Sequence, residues 1–187
     1  MSEKLPDSFI FMKVGNHAGE SFDAILARKD RERERAGCIF WGYGGTVCHP
    51  LMQVQPFARL YARQQGCIYL FMEPMDSKSN PDIEPAREYS EDGARWHSLP
   101  EGISVIGSRY ALVLDEIKPI NFEIDLENYS VGIGYSRGRN AAEYIQGQVD
   151  KGCLTLASAP CSSTFQPLRK SIKFSAHLLV PYAVLLR

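Results

Sequence analysis

With 187 residues, 44% of them hydrophobic and 23% charged, the chain has the make-up of one globular domain with a packed core, which excludes a disordered, collagen-like or low-complexity class. Its 21 basic and 22 acidic residues leave a net charge of -1, so no overall field draws it to nucleic acid or to an anionic membrane, and any polyanion site must be local. No apolar run approaches the roughly 20 residues of a bilayer span, residues 1–7 are polar without a signal-peptide core, and the 5 cysteines at irregular spacing fit reduced thiols in a soluble, cytoplasmic protein.

Residues 9–14 form a short apolar run that stops at Gly15 and predicts a first strand. A helix follows, with Ser21 as N-cap and Phe22, Ile25 and Leu26 as its apolar stripe. The charged run over 28–35 predicts a helical end that protrudes into water. Residues 38–43, aromatic and β-branched, predict a second buried strand that ends at Gly44, Gly45 and Thr46. Pro50 marks a turn, and Pro56 starts a helix with Phe57, Leu60 and Tyr61 on its apolar face and Gly66 as terminator.

Residues 67–72 predict a third strand. The stretch 76–100, rich in Ser, Asn, Pro, Asp and Glu, predicts a long surface loop. Strands are expected over 103–106 and 110–117. Phe122, Ile124 and Leu126 alternate with Glu123, Asp125 and Glu127 as in a half-buried strand, and 129–135 adds another with Gly132 and Gly134 on one face. Asn140 and Glu143 have capping-box spacing. The helix they open carries Ala141, Tyr144, Ile145 and Val149 and closes at Lys151 and Gly152. Residues 174–186 predict a final strand, interrupted at Pro181. Together these elements predict a single α+β domain, a mixed, mainly antiparallel, curled or barrel-like sheet of about six or seven strands with about three helices.

Two glycine-rich strand-to-helix junctions share a design suited to anions. Trp41, Tyr43, Gly44, Gly45 and Thr46 form the first, and Gly134, Ser136, Arg137, Gly138, Arg139 and Asn140 the second. Free backbone N–H groups at a helix start favour negative charge, glycines allow close approach, and arginine forks match phosphate. Neither has the Gly-Lys-Ser/Thr ending of a P-loop. The plainer reading is that the glycines permit tight packing, Asn140 caps a helix and the arginines are solvated. Trp41, Tyr43, Trp96 and His97 are candidates for a base-stacking surface, with basic residues of 28–35 or 137–139 on a backbone.

Cys48 beside His49 supplies a thiol near a helix start and a neighbouring base, the parts of a nucleophilic cysteine. Glu73, Asp115 and Glu116 interrupt or end apolar strands, where burial would raise a carboxyl pKa into a range useful for acid–base work. A zinc site built from Cys38, Cys48, His49 and Cys67 would lack a C-x-x-C pair, so no metal is expected, and the sequence points to no cofactor.

The loop Gly42-Tyr43-Gly44-Gly45-Thr46 after an aromatic strand resembles the G-Y-G-S-L substrate loop of gamma-glutamylcyclotransferases, with Gly45-Thr46 in place of Ser-Leu. In outline, the strand-rich second half with few helices is similar to PUA-like modules, which bind modified bases. The first functional expectation is a binding module for a phosphate-bearing small molecule or nucleic-acid element at the two junctions. The alternatives are an enzyme of acyl or gamma-glutamyl-type chemistry with a Cys48/His49 or Glu73 centre, and a protein-interaction module or homodimer joined through the arginine-rich helix or a sheet edge.

Overall fold

The computed structural model describes residues 5–44, 48–146, 149–159 and 168–187. Strand β1 (Ser8–His17) buries each of Phe9, Ile10, Phe11 and Met12, which is why this run shows no polar alternation before Lys13. It runs parallel to β3 (Tyr69–Ser79) and antiparallel to β9 (Lys151–Leu156). A parallel pair needs a long crossover. This one contains α1 (Phe22–Ala36), β2 (Ile39–Tyr43) and α2 (Gln55–Gln65).

Helix α1 starts where Ser21 Oγ accepts a hydrogen bond from the Ala24 amide at 3.2 Å, and it ends at Gly37, whose φ of 76° needs no Cβ. A π-helical turn at Pro50–Val54 leads directly into α2, which stops at Gly66 with φ 90°.

The remaining strands are β4 (Glu88–Ser90), β5 (His97–Ser98), β6 (Tyr110–Leu114), β7 (Lys118–Asp125), β8 (Tyr129–Val131) and β10 (Arg169–Leu186). Among the described residues one mixed sheet of 10 strands runs in the order β2-β6-β10-β3-β1-β9-β8, with β4 and β7 also on β10 and β5 on β4. Beyond the parallel β1/β3 pair, the ladders are antiparallel.

The first part of β10 pairs with β7 and β3, and its last residues pair with β6 and β4. Between them, the register shifts from Leu178 to Ala183 around the cis Val180–Pro181 peptide.

Alternation sorts the side chains. Ile10 and Met12, Leu70 and Met72, Ile39, Trp41 and Tyr43, and Leu112 and Leu114 share the inner core with Phe57 and Ala58 of α2. Phe9, Phe11 and Phe71 on the other face pack with Ile124, Ile172, Leu154 and α3 (Ala141–Ile145). Phe40, Val113 and Val184 form a third cluster. Each large side chain so buried contributes roughly 1.5–3 kcal/mol.

Several expectations are corrected. The sheet has 10 strands, not six or seven, and it is open, its path ending at β2 and β8, not closed as a barrel. The surplus comes from strands too short or too polar to show a pattern: β4 and β5 lie inside 76–100, and β9 begins with the Lys151-Gly152 pair that imitates a helix end. Conversely, 103–106 forms no strand, and Leu60 of α2 faces solvent. Among the described residues no helix is long and apolar enough to cross a membrane.

Candidate functional site

A cavity of about 390 Å³ opens at the carboxyl ends of β1, β2 and β3, where 105–107, the inner face of α1 and the start of β9 complete its wall. That size suits a small organic ligand. Lys13, Arg28, Lys29 and Lys151 line it against one carboxylate, Asp150.

The cations arrive by different routes. Lys13 follows the apolar run of β1, and its Nζ donates to the Ile145 carbonyl at 3.2 Å. Burial lowers its pKa, Lys170 lowers it further, and Glu73 and Asp150 oppose.

Ile25, Lys29 and Glu32 follow one another at i, i+4 and i+7, so the buried stripe of α1 continues into the charged run. Lys29 Nζ donates to Glu32 Oε1 at 2.8 Å and Oε2 at 3.0 Å, to the Phe40 carbonyl at 2.6 Å and to the Ser104 carbonyl at 2.9 Å. Burial pushes its amine down to about 8, with Glu32 pulling the other way. Lys29 and Glu32 are only 2% and 1% exposed, so the expectation that 28–35 projects into water fails on this face.

Arg28 grips both oxygens of Glu20 at 3.0 and 2.6 Å and donates to Glu32 Oε1 at 3.2 Å and the Ser104 carbonyl at 2.6 Å. The bond from Arg28 lowers the Glu20 pKa. Lys151 Nζ donates to the Gly44 carbonyl at 2.7 Å and lies 5.4 Å from the Tyr43 ring, joining β9 to the end of β2.

Two further donors belong to the wall. His17 Nε2 lies 3.2 and 3.1 Å from the Ile106 and Gly107 carbonyls, which places its proton on that nitrogen. Trp41 is buried, yet its indole Nε1 has no hydrogen-bond partner among the described residues. A donor left in this way costs about 1–3 kcal/mol until an acceptor reaches it.

Of the first junction, Trp41, Tyr43 and Gly44 line this cavity, while Gly45 and Thr46 lie outside the described residues. The second junction takes another form. Arg137, Gly138 and Arg139 amides donate to the Gly134, Val131 and Ser136 carbonyls at 3.1, 2.8 and 3.0 Å. Gly134, with φ 84°, has the Gln53 amide where a Cβ would project. Asn140 accepts from the Ala142 amide at 2.9 Å and donates to the Glu127 carbonyl at 3.0 Å, Arg139 pairs with Glu143 at 2.8 Å, and Arg137 is exposed. The turn's donors thus serve the turn, and α3 has 5 residues.

A residue just after the first junction nevertheless meets the second. Cys48 and Ser136 share a smaller pocket of about 70 Å³ with Gln53, Tyr144 and Cys153. Cys48 has φ 58°, and the Tyr43 hydroxyl donates to its carbonyl at 3.1 Å. His49 Nδ1 accepts from the Leu51 and Met52 amides at 3.2 and 3.3 Å, so this lone pair caps the turn and does not face the thiol.

Glu73 pairs with Lys170 at 3.0 Å. Asp115 bonds His177 Nδ1 at 2.9 Å, and Glu116 is held at 3.5 Å by both Arg33 and Lys118. Trp96 stacks under Arg187 at 4.1 Å and His97 against Tyr89 at 5.6 Å, apart from the buried Trp41 and Tyr43.

Sequence reasoning missed Lys13, His17 and Lys151, and it offered Arg28 and Lys29 only as part of an exposed charged run that could hold a nucleic-acid backbone. The helical spacing of Lys29 and Glu32 from Ile25 was the available signal. Among the described residues no group of three or more His, Cys, Asp or Glu is placed to hold a metal ion. The chain matches no family model, no curated protein and no solved structure.

Proposed function

We propose that the protein is a binding module for a small phosphate-bearing molecule, a nucleotide or the accessible end of a nucleic acid, held in the cavity at the carboxyl ends of β1, β2 and β3. The observation that carries this reading is the gathering of Lys13, Arg28, Lys29 and Lys151 in one wall beside the unpartnered Trp41 indole, with Arg28 and Lys29 paired to Glu20 and Glu32 and Lys151 3.1 Å from Asp150. Away from bulk water such charges act on an anion far more strongly than they would in solvent. Met12, Val14 and Val105 supply apolar surface for the rest of the ligand, and the Trp41 indole supplies a donor in need of an acceptor.

The chain has 2 tryptophans, so Trp96→Phe leaves Trp41 as the reporter. Inorganic phosphate, nucleoside mono- and diphosphates and a short oligonucleotide are titrated while its fluorescence is followed. A saturable response is expected, weakened about tenfold, or about 1.4 kcal/mol, by Lys13→Ala. Silence at millimolar concentrations removes the proposal, and a response abolished by Arg137→Ala with Arg139→Ala but indifferent to Lys13→Ala moves the site to the turn after β8.

A further inference from the structure

Cys48 and Cys153 are the two buried cysteines among the described residues, and they line the same pocket although 105 positions of chain separate them. That pocket, about 70 Å³, is too small for an organic substrate, but it exceeds the volume that admits a water-sized molecule. Its wall includes Ser136, Tyr144 and Gln53, residues that bear hydroxyl and amide hydrogens.

From these positions we infer that Cys48 and Cys153 form a peroxide-reactive thiol pair that closes to a disulfide across the junction of β2, α2 and β9. Hydrogen peroxide is the class of oxidant that the pocket admits. The Cys48 thiolate attacks one peroxide oxygen, the O–O bond breaks, and hydroxide leaves and takes up a proton, giving a sulfenic acid and water. The Cys153 sulfur then attacks Cys48 Sγ, an S–S bond forms as the S–O bond breaks, and the thiol proton departs with the hydroxyl as a second water. Two thiols lose two electrons and one peroxide gains them.

The assignment of roles follows from the surroundings. Cys153 beside it lowers the Cys48 pKa, burial opposes, and Lys151 lowers it further. Cys153 is held well above its usual value by its neighbour Cys48 and by burial, so Cys48 ionises first and Cys153 resolves. Cys48 also sits at φ 58°, a backbone conformation that a non-glycine residue adopts under constraint. Cys38 lacks these features, and burial raises its pKa.

The test treats the reduced full chain with hydrogen peroxide and follows intact mass and proteolytic peptide maps. Loss of two hydrogens and a Cys48–Cys153 linked peptide are expected, with Cys48 reacting at least about tenfold faster than Cys38 or Cys67. In Cys153→Ser the reaction should stop at a Cys48 sulfenic acid that a 1,3-dione probe captures, and in Cys48→Ser the Cys153 thiol should stay reduced. Should Cys153→Ser not fold, as judged by circular dichroism, the wild-type map decides alone. Oxidation appearing first at Cys38 or Cys67, a Cys48 link to any other cysteine, or Cys48 and Cys153 remaining free thiols overturns the inference.

Discussion

Lys29 and Glu32 are two opposite charges withdrawn from water inside a helix whose charged residues, Arg28 beside them excepted, are exposed. Removing one leaves the other uncompensated, so Glu32→Gln is expected to cost about 3–5 kcal/mol in urea unfolding, and Lys29→Met combined with Glu32→Leu much less than the sum of the two single changes. The pH dependence has a definite sign. In the unfolded chain Lys29 titrates near its ordinary 10.5, and in the fold burial brings it to about 8. Below about 8 both states are protonated and the penalty is present in full; above it the unfolded state binds the extra proton, so stability rises with pH. Relative to Lys29→Met, the wild type should therefore gain on the order of 2 kcal/mol between about pH 7.5 and about 9.5, read from thermal melts at each pH. The pair was legible in spacing alone, since both residues fall on the stripe begun by Ile25, but a run of alternating charges hides that phase. Lys151 was less legible, because a lysine followed by glycine serves equally at a helix end or at the head of a strand.

At the scale of elements, capping and close approach fix where each piece stops. Asn140→Ala removes the bond to the Ala142 amide and the one to the Glu127 carbonyl and should cost about 1–2 kcal/mol. Gly42 of β2 lies against the segment that walls the cavity, and a Cβ there would stand 2.8 Å from both Ser108 Oγ and Val105 Cγ1. Gly42→Ala is therefore expected to destabilise by about 1–3 kcal/mol and to weaken ligand binding at the same time, seen in a melt and a titration of one sample. Helices α1 and α2, with the Ser21 cap of the first and the Gly66 end of the second, were readable because capping acts between neighbours in sequence. Strands β4, β5 and β9 were not, because what makes them strands is a partner far along the chain.

For the molecule as a whole, β9 and the end of β2 share no ladder, and the Lys151 bond to the Gly44 carbonyl joins them beside the cavity. A ligand seated there favours the folded state by mass action. At 100 times its dissociation constant it adds about 2.7 kcal/mol, and for a chain of this size each kcal/mol raises the melting temperature by about 2–4 °C. A nucleotide that binds should thus shift the transition by roughly 5–10 °C, and Lys13→Ala should shrink that shift. The sheet was anticipated in kind and underestimated in extent, since residues 174–186 read as one final strand interrupted at Pro181, whereas β10 begins at Arg169 and serves four other strands along its length.

Every one of those four precedes β10 in the chain. During synthesis β3, β4, β6 and β7 leave the ribosome before the strand they pair with, each with a hydrogen-bonding edge still vacant, and the central seam is laid down only once β10 follows. Folding of this sheet is accordingly a late, concerted event with high contact order, and until it happens the nascent chain carries unpaired edges of the kind that chaperones cover.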